Sequence, residues 1–97
     1  MTMQEFTALI PNDKVVLVDF SAVWCPPCKK MEPVLEQLQK EQGSKFTFVK
    51  IDGGEQTSIC KELNVEGFPT FIIYKQGKQV WKKSGIVEIS EFVKEIQ

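Results

Sequence analysis

Histidine is missing from all 97 residues of this chain. Its absence removes Cys–His nucleophilic catalysis, serine triads with an imidazole base, and the usual Cys/His zinc sites. Cysteine is scarce as well. Three residues are too few for a disulfide framework and the wrong number for complete pairing. A zinc site needs four ligands and only one CxxC half-site exists, so no metal is expected unless two chains share one. Charge of one sign is lacking too. Twelve basic and 13 acidic residues leave a net charge of −1, which implies no basic face for nucleic acid or acidic lipid. No apolar run approaches the roughly 18–20 residues of a membrane span. Met1-Thr2-Met3-Gln4-Glu5 has neither the basic start nor the apolar stretch of a signal peptide. A cytoplasmic location is the resulting expectation, with the cell envelope as the alternative for a trimmed chain.

What is present is ordinary for a globular protein: 42% hydrophobic residues and 26% charged, with no linker, repeat or low-complexity segment. One domain over residues 1–97 is expected, above the roughly 70–80 residues at which a core needs staples. The periodicity gives an alternating plan. Thr2 to Ile10 reads as a short helix with Phe6, Leu9 and Ile10 on one side. Val15 to Phe20 reads as a central strand, apolar on both faces. Lys29 to Gln42 reads as an amphipathic helix carrying Met31, Val34, Leu35 and Leu38, with a kink expected at Pro33. Phe46 to Ile51 is a second strand, and Gln56 to Leu63 a helix with Ile59, Cys60 and Leu63 inward. Phe71 to Tyr74 and Gln79 to Lys82 form a β-hairpin around Lys75-Gln76-Gly77-Lys78. Glu88 to Ile96 closes the chain as a helix with Ile89, Phe92, Val93 and Ile96 on one stripe. This order predicts an α/β sandwich with a mixed sheet.

Trp24-Cys25-Pro26-Pro27-Cys28 sits where the first strand gives way to the long helix. A thiol held at a helix N-terminus feels the helix dipole and an unpaired backbone N–H, which favour the reactive thiolate. Two thiols at this spacing can close and open a disulfide. A static disulfide or two buried thiols is the competing reading.

Over nearly its whole length the chain is similar to the thioredoxin family. Val18 to Lys29 resembles the family's active-site segment, and Lys50 falls where the family has a buried lysine. Gly67-Phe68-Pro69-Thr70 resembles the loop whose proline is cis and lies beside the disulfide. Gly85 falls where a glycine flanks the substrate groove. The resemblance implies the thioredoxin fold, a three-layer sandwich around a mixed sheet. The family's opening strand has no counterpart, so four strands are expected, ordered 46–51, 15–20, 70–75, 78–83. That order makes 46–51 an edge, guarded by Lys45 and Lys50.

The implied activity is thiol–disulfide exchange on protein disulfides. Cys25 is the expected nucleophile, at the N-cap, its sulfur accepting the N–H of Cys28. Cys28 is the resolving thiol, one turn inside the helix and expected to be the less exposed. Asp19, a carboxylate in an apolar strand, should have a raised pKa. The resemblance gives it the proton transfer to and from Cys28, tuned by Lys50. The other reading makes Asp19 a turn residue and Lys50 a solvated one. Trp24, Pro26, Gly67, Phe68, Pro69, Thr70, Gly85 and Ile86 are the candidate substrate rim. Cys60 reads as a small core residue and Trp81 as packing against the last helix.

Two departures bear on function: the missing first strand, and Pro26 where thioredoxins carry glycine. Cys-Pro-Pro-Cys is frequent among envelope-anchored carriers of the cytochrome-maturation type. Lys29-Lys30-Met31-Glu32-Pro33 resembles ordinary thioredoxin more, and the carriers' central insertion is missing. No histidine separates the cysteines to stabilise the reduced form, so a reductase is expected. It would use no bound cofactor beyond its own disulfide. Electrons would come from a flavin-dependent thioredoxin reductase or a membrane thiol donor. A monomer acting on disulfide-containing proteins is expected. The alternatives are a dedicated envelope carrier and a redox-inactive adaptor on the same fold.

Overall fold

The computed structural model describes every residue from Met1 to Gln97. Eight elements follow one another: α1 (Met3–Ala8), β1 (Val15–Ser21), α2 (Pro26–Gln42), β2 (Thr47–Asp52), α3 (Thr57–Glu62), β3 (Thr70–Lys75), β4 (Lys78–Ser84) and α4 (Ile89–Ile96). The strands form one sheet in the order β2-β1-β3-β4. β1 and β2 are parallel, while β3 runs antiparallel to both β1 and β4. The four strands and their order match the sequence expectation.

Strand alternation divides the core into two layers. Val16, Val18 and Phe20 of β1 pack with Ile72 and Tyr74 of β3 against Phe6 of α1 and Ile59 of α3. Leu17, Phe71 and Ile73 face the other way, against Met31, Leu35 and Leu38 of α2 and Phe92 and Ile96 of α4. β1 is therefore buried on both faces, as its continuous apolar run requires. The same alternation sets Asp19 two residues after Leu17, on the α2 side of the sheet. Trp81 meets Phe92 edge-on with centroids 5.6 Å apart, so the last hairpin strand does pack on α4.

Several expectations need correction. α1 ends at Ala8, because Leu9 and Ile10 donate to carbonyls only three residues back and tighten the last turn. Ile10 stays buried while Leu9 turns out to 39% exposure, so Leu9 is not part of the inward side. α2 begins three residues earlier than Lys29, taking in both active-site prolines and Cys28. It continues as one helix through Pro33, whose missing N–H leaves the Lys29 carbonyl without its helical partner. Lys50 is exposed on β2, which is an edge strand of the sheet. It follows Phe48 by two, so its side chain lies on the α2 face with that residue.

The hairpin turn is set by backbone conformation. Gln76 and Gly77 have φ of 54° and 76°, the consecutive left-handed pair of a type I′ connection, which suits glycine at the second position.

Candidate active site

The site forms where β1 leaves the sheet and α2 starts. After Ser21 the chain turns through Ala22 to Cys25, with the Cys25 N–H donating to the Ala22 carbonyl at 3.2 Å. Cys25 is the N-cap of α2, with φ −97° and ψ 109°, and its sulfur accepts the Cys28 N–H at 3.2 Å. Pro26 and Pro27 occupy the first helical positions, where a missing N–H costs nothing. One turn on, Cys28 brings its Cα to 5.3 Å from that of Cys25, and the two sulfurs are joined as a disulfide.

The order of exposure differs from expectation. Cys25 is 2% exposed and Cys28 8%. A cavity of about 440 Å³ opens on Cys28, while Cys25 is held with Ala22 beneath Phe68. The distinction between the thiols therefore lies in hydrogen bonding and helix position, not in access.

Phe68 is the lid of this cluster. It packs on Ala22, Cys25 and Cys28, and Trp24 meets it edge-on at 6.0 Å. Gly53, after β2, makes this fit possible. Its N–H donates to the Ser21 carbonyl at 2.7 Å, and a Cβ there would overlap the Phe68 ring. Nothing in the sequence marks Gly53 for this contact, which only the packed fold reveals. The Phe68–Pro69 peptide is cis. The Pro69 carbonyl accepts the Gly85 N–H at 2.8 Å, with Gly85 in the left-handed region at φ 87°. Thr70 is fully buried. Its hydroxyl donates to the Gly67 carbonyl at 2.6 Å and pairs with the Ser84 hydroxyl at 2.8 Å, so it braces the loop from inside rather than facing outward.

Around the disulfide the exposed apolar side chains are Trp24 at 69% and Ile86 at 57%, with Pro26 and Gly67 also exposed. Val23, at 78%, was not among the expected rim residues. It sits between a buried alanine and the exposed tryptophan, where no periodicity could signal its direction.

Asp19 is 3% exposed, and its Oδ1 has no hydrogen-bond partner. Burial pushes its pKa up to about 6, the nearby Lys50 charge working against this and Glu32 adding to it. Lys50 stands opposite Asp19 in the β1–β2 register. It makes no direct ion pair with Asp19, the one salt bridge of the chain being Lys83–Glu91. A second cavity of about 330 Å³ lies between Asp19, Glu32 and Lys50. Cys60 is buried and free, its thiol directed at the Gly53 carbonyl at 3.6 Å, as a core residue would be. No three Cys, Asp or Glu side chains come together as a metal-binding cluster. No helix is long and apolar enough to cross a membrane.

The arrangement can therefore cycle two sulfurs under an apolar rim, with a buried carboxylate of raised pKa in the cavity adjoining that of Cys28. Comparison with known proteins agrees with that chemistry. The family model described as thioredoxin matches residues 1–97. The chloroplastic thioredoxin Y of Oryza sativa is 38% identical over 97 residues, which is 99% of this chain and 58% of that protein. This chain thus spans little more than half of that relative's length. Thioredoxin-1 of Saccharomyces cerevisiae is 39% identical over 84 residues, covering 87% of this chain and 81% of the yeast protein. Among solved structures, oxidised mitochondrial thioredoxin 3 of the same yeast superposes with a TM-score of 0.85 at 36% identity, covering 97% of this chain and 87% of that one.

Proposed function

Since the chain belongs to the thioredoxin family, we propose that it is a thiol–disulfide oxidoreductase that reduces protein disulfides through Cys25 and Cys28. The observation that carries this reading is the Cys25 sulfur at the α2 N-cap, accepting the Cys28 N–H and already paired with Cys28. The same N–H and the helix dipole favour the Cys25 thiolate once the pair is reduced.

In the cycle, the Cys25 thiolate attacks one sulfur of a substrate disulfide and the other sulfur leaves as a thiolate. Cys28 gives its proton to Asp19 and attacks Cys25, forming Cys25–Cys28 and releasing the second substrate thiolate. The substrate gains two electrons and the dithiol loses two. Asp19 suits the proton transfer, because its pKa of about 6 lies near working pH. Trp24, Pro26, Gly67 and Ile86 offer the apolar surface against which an extended substrate segment docks, its backbone running beside Phe68-Pro69-Thr70. A flavin-dependent thioredoxin reductase is the proposed source of electrons, and a monomer in the cytoplasm the proposed working form. Neither the envelope-carrier nor the adaptor alternative finds support. The cysteine pair and its carboxylate are both in place, and the relatives are thioredoxins.

The test is the reduction potential of the Cys25–Cys28 pair, by dithiothreitol equilibration, with insulin reduction assayed on the same sample. A strongly reducing pair that turns insulin over supports the proposal. A distinctly oxidising pair, or redox chemistry without insulin turnover, moves the protein to the carrier class.

A further inference from the structure

The sequence gives Glu32 no site role, yet the fold sets it beside both the Cys28 and the Asp19 cavity. It follows Cys28 by four residues on α2, so both side chains leave the same helix face one turn apart. Two cavities adjoin there. One, about 440 Å³, takes in Cys28, Lys29 and Asp52. The other, about 330 Å³, takes in Asp19, Glu36 and Phe48. Only Glu32 and Lys50, both exposed, line the two together. Cys28 opens on the first cavity and Asp19 on the second, and Glu32 and Lys50 form the wall they share. Asp19 Oδ1 has no partner within the protein, and Lys50 forms no ion pair with either acid. A charge on that shared wall therefore acts on Asp19 through space.

We propose that Glu32 is a positioning residue for the resolving step: with Lys50 it lines both the Cys28 and the Asp19 cavity and governs how readily Asp19 takes the proton of Cys28. This rests on the oxidoreductase reading above. In that step the Cys28 thiol passes its proton to the Asp19 carboxylate, and the Cys28 thiolate attacks Cys25. The Cys25–Cys28 bond forms, the bond to the substrate sulfur breaks, and the electron pair leaves with the substrate thiolate. Negative charge on Glu32 strengthens Asp19 as a base, and Lys50 opposes it. The charged and titratable groups lining one cavity or the other are Lys50 and Asp52 of β2, Asp19 of β1, and Cys28, Lys29, Glu32 and Glu36 of α2, and of the flanking charges Lys50 and Glu32 are the ones that act on Asp19.

The test follows the Asp19 carboxyl carbon by NMR against pH in the oxidised protein, beside the pH profile of mixed-disulfide decay in a single turnover. In Glu32→Gln the Asp19 midpoint is expected to fall by about half a pH unit, and the acid limb of the decay with it. Lys50→Gln should raise the midpoint. Glu32→Asp, which keeps the charge, should restore most of the wild-type value, and Glu36→Gln should leave it in place. An unmoved midpoint in Glu32→Gln, or an equal fall in Glu36→Gln, overturns the proposal. Insulin reduction by the unsubstituted protein is measured alongside. Its failure would sink the oxidoreductase reading, while the carboxyl titration needs no substrate and still decides the role of Glu32.

Discussion

Replacing Asp19 by asparagine should make this protein more stable, and only above a definite pH. The carboxyl is 3% exposed, and its pKa rises from 3.8 to about 6 on folding. The folded state thus holds its proton more tightly than the unfolded chain. Stability is highest below about 3.8, falls as pH rises from there to about 6, and is level beyond. About two pKa units at about 1.4 kcal/mol each make a penalty of about 3 kcal/mol for the ionised form. Asparagine keeps the shape and never ionises, but its amide is also left short of partners, at a cost of about 1 kcal/mol. The expected net gain is about 2 kcal/mol at pH 8, shrinking to nothing or a small loss near pH 4. Guanidinium unfolding of the oxidised proteins reads this directly, as a midpoint about 0.5 M higher for Asp19→Asn at pH 8. An equal difference at both pH values would show that packing, not ionisation, sets it. A loss at pH 8 would refute the buried charge altogether.

Cys28→Ser should stop the cycle after the first attack, so that incubation with a disulfide substrate leaves a covalent adduct on Cys25, seen as added mass and removed by dithiothreitol; no adduct would argue that Cys25 is not the nucleophile. Gly53→Ala puts a methyl group where the Phe68 ring lies. It should cost about 1–3 kcal/mol and slow insulin reduction, whereas wild-type melting and rate would mean that the lid is not held by this contact. Phe92, fully buried and edge-on to both Phe71 and Trp81, should cost about 3–5 kcal/mol as Phe92→Ala, while Leu9→Ala on the exposed side of α1 should cost far less. Thermal or denaturant unfolding separates the two.

Much of this was legible along the chain. From Val15 to Phe20 strand β1 announces itself by being apolar at every position but one, and that exception, Asp19, is the buried carboxylate of the candidate site. The hairpin is written in Gln76-Gly77, and the N-cap in Cys25 with its two prolines, because turns and caps are decided by residues close in sequence. What escaped is what depends on residues far apart. Gly53 matters because Phe68 folds over it, 15 positions on. Glu32 matters because α2 crosses the sheet beside Asp19 and Lys50. The first helix ends at Ala8, two residues short of Ile10, enough to turn the Leu9 side chain from core to solvent.

The Cys25–Cys28 bridge spans three residues, and Cys60 is left out of any pairing. A cross-link steadies a fold largely by restricting the unfolded chain, in proportion to the logarithm of the loop it closes. A loop this short restricts the denatured ensemble by about 2 kcal/mol, against nearly 5 for a loop of about 100 residues. The proposed cycle opens and closes the protein's only covalent tie at every turnover, and that tie sits where severing it frees the least chain. Two core layers, neither of them crossed by the bond, carry the architecture through both oxidation states. Durability under repeated reduction is thus a matter of placement: the reactive link is tied to the rim of the fold and kept out of its frame.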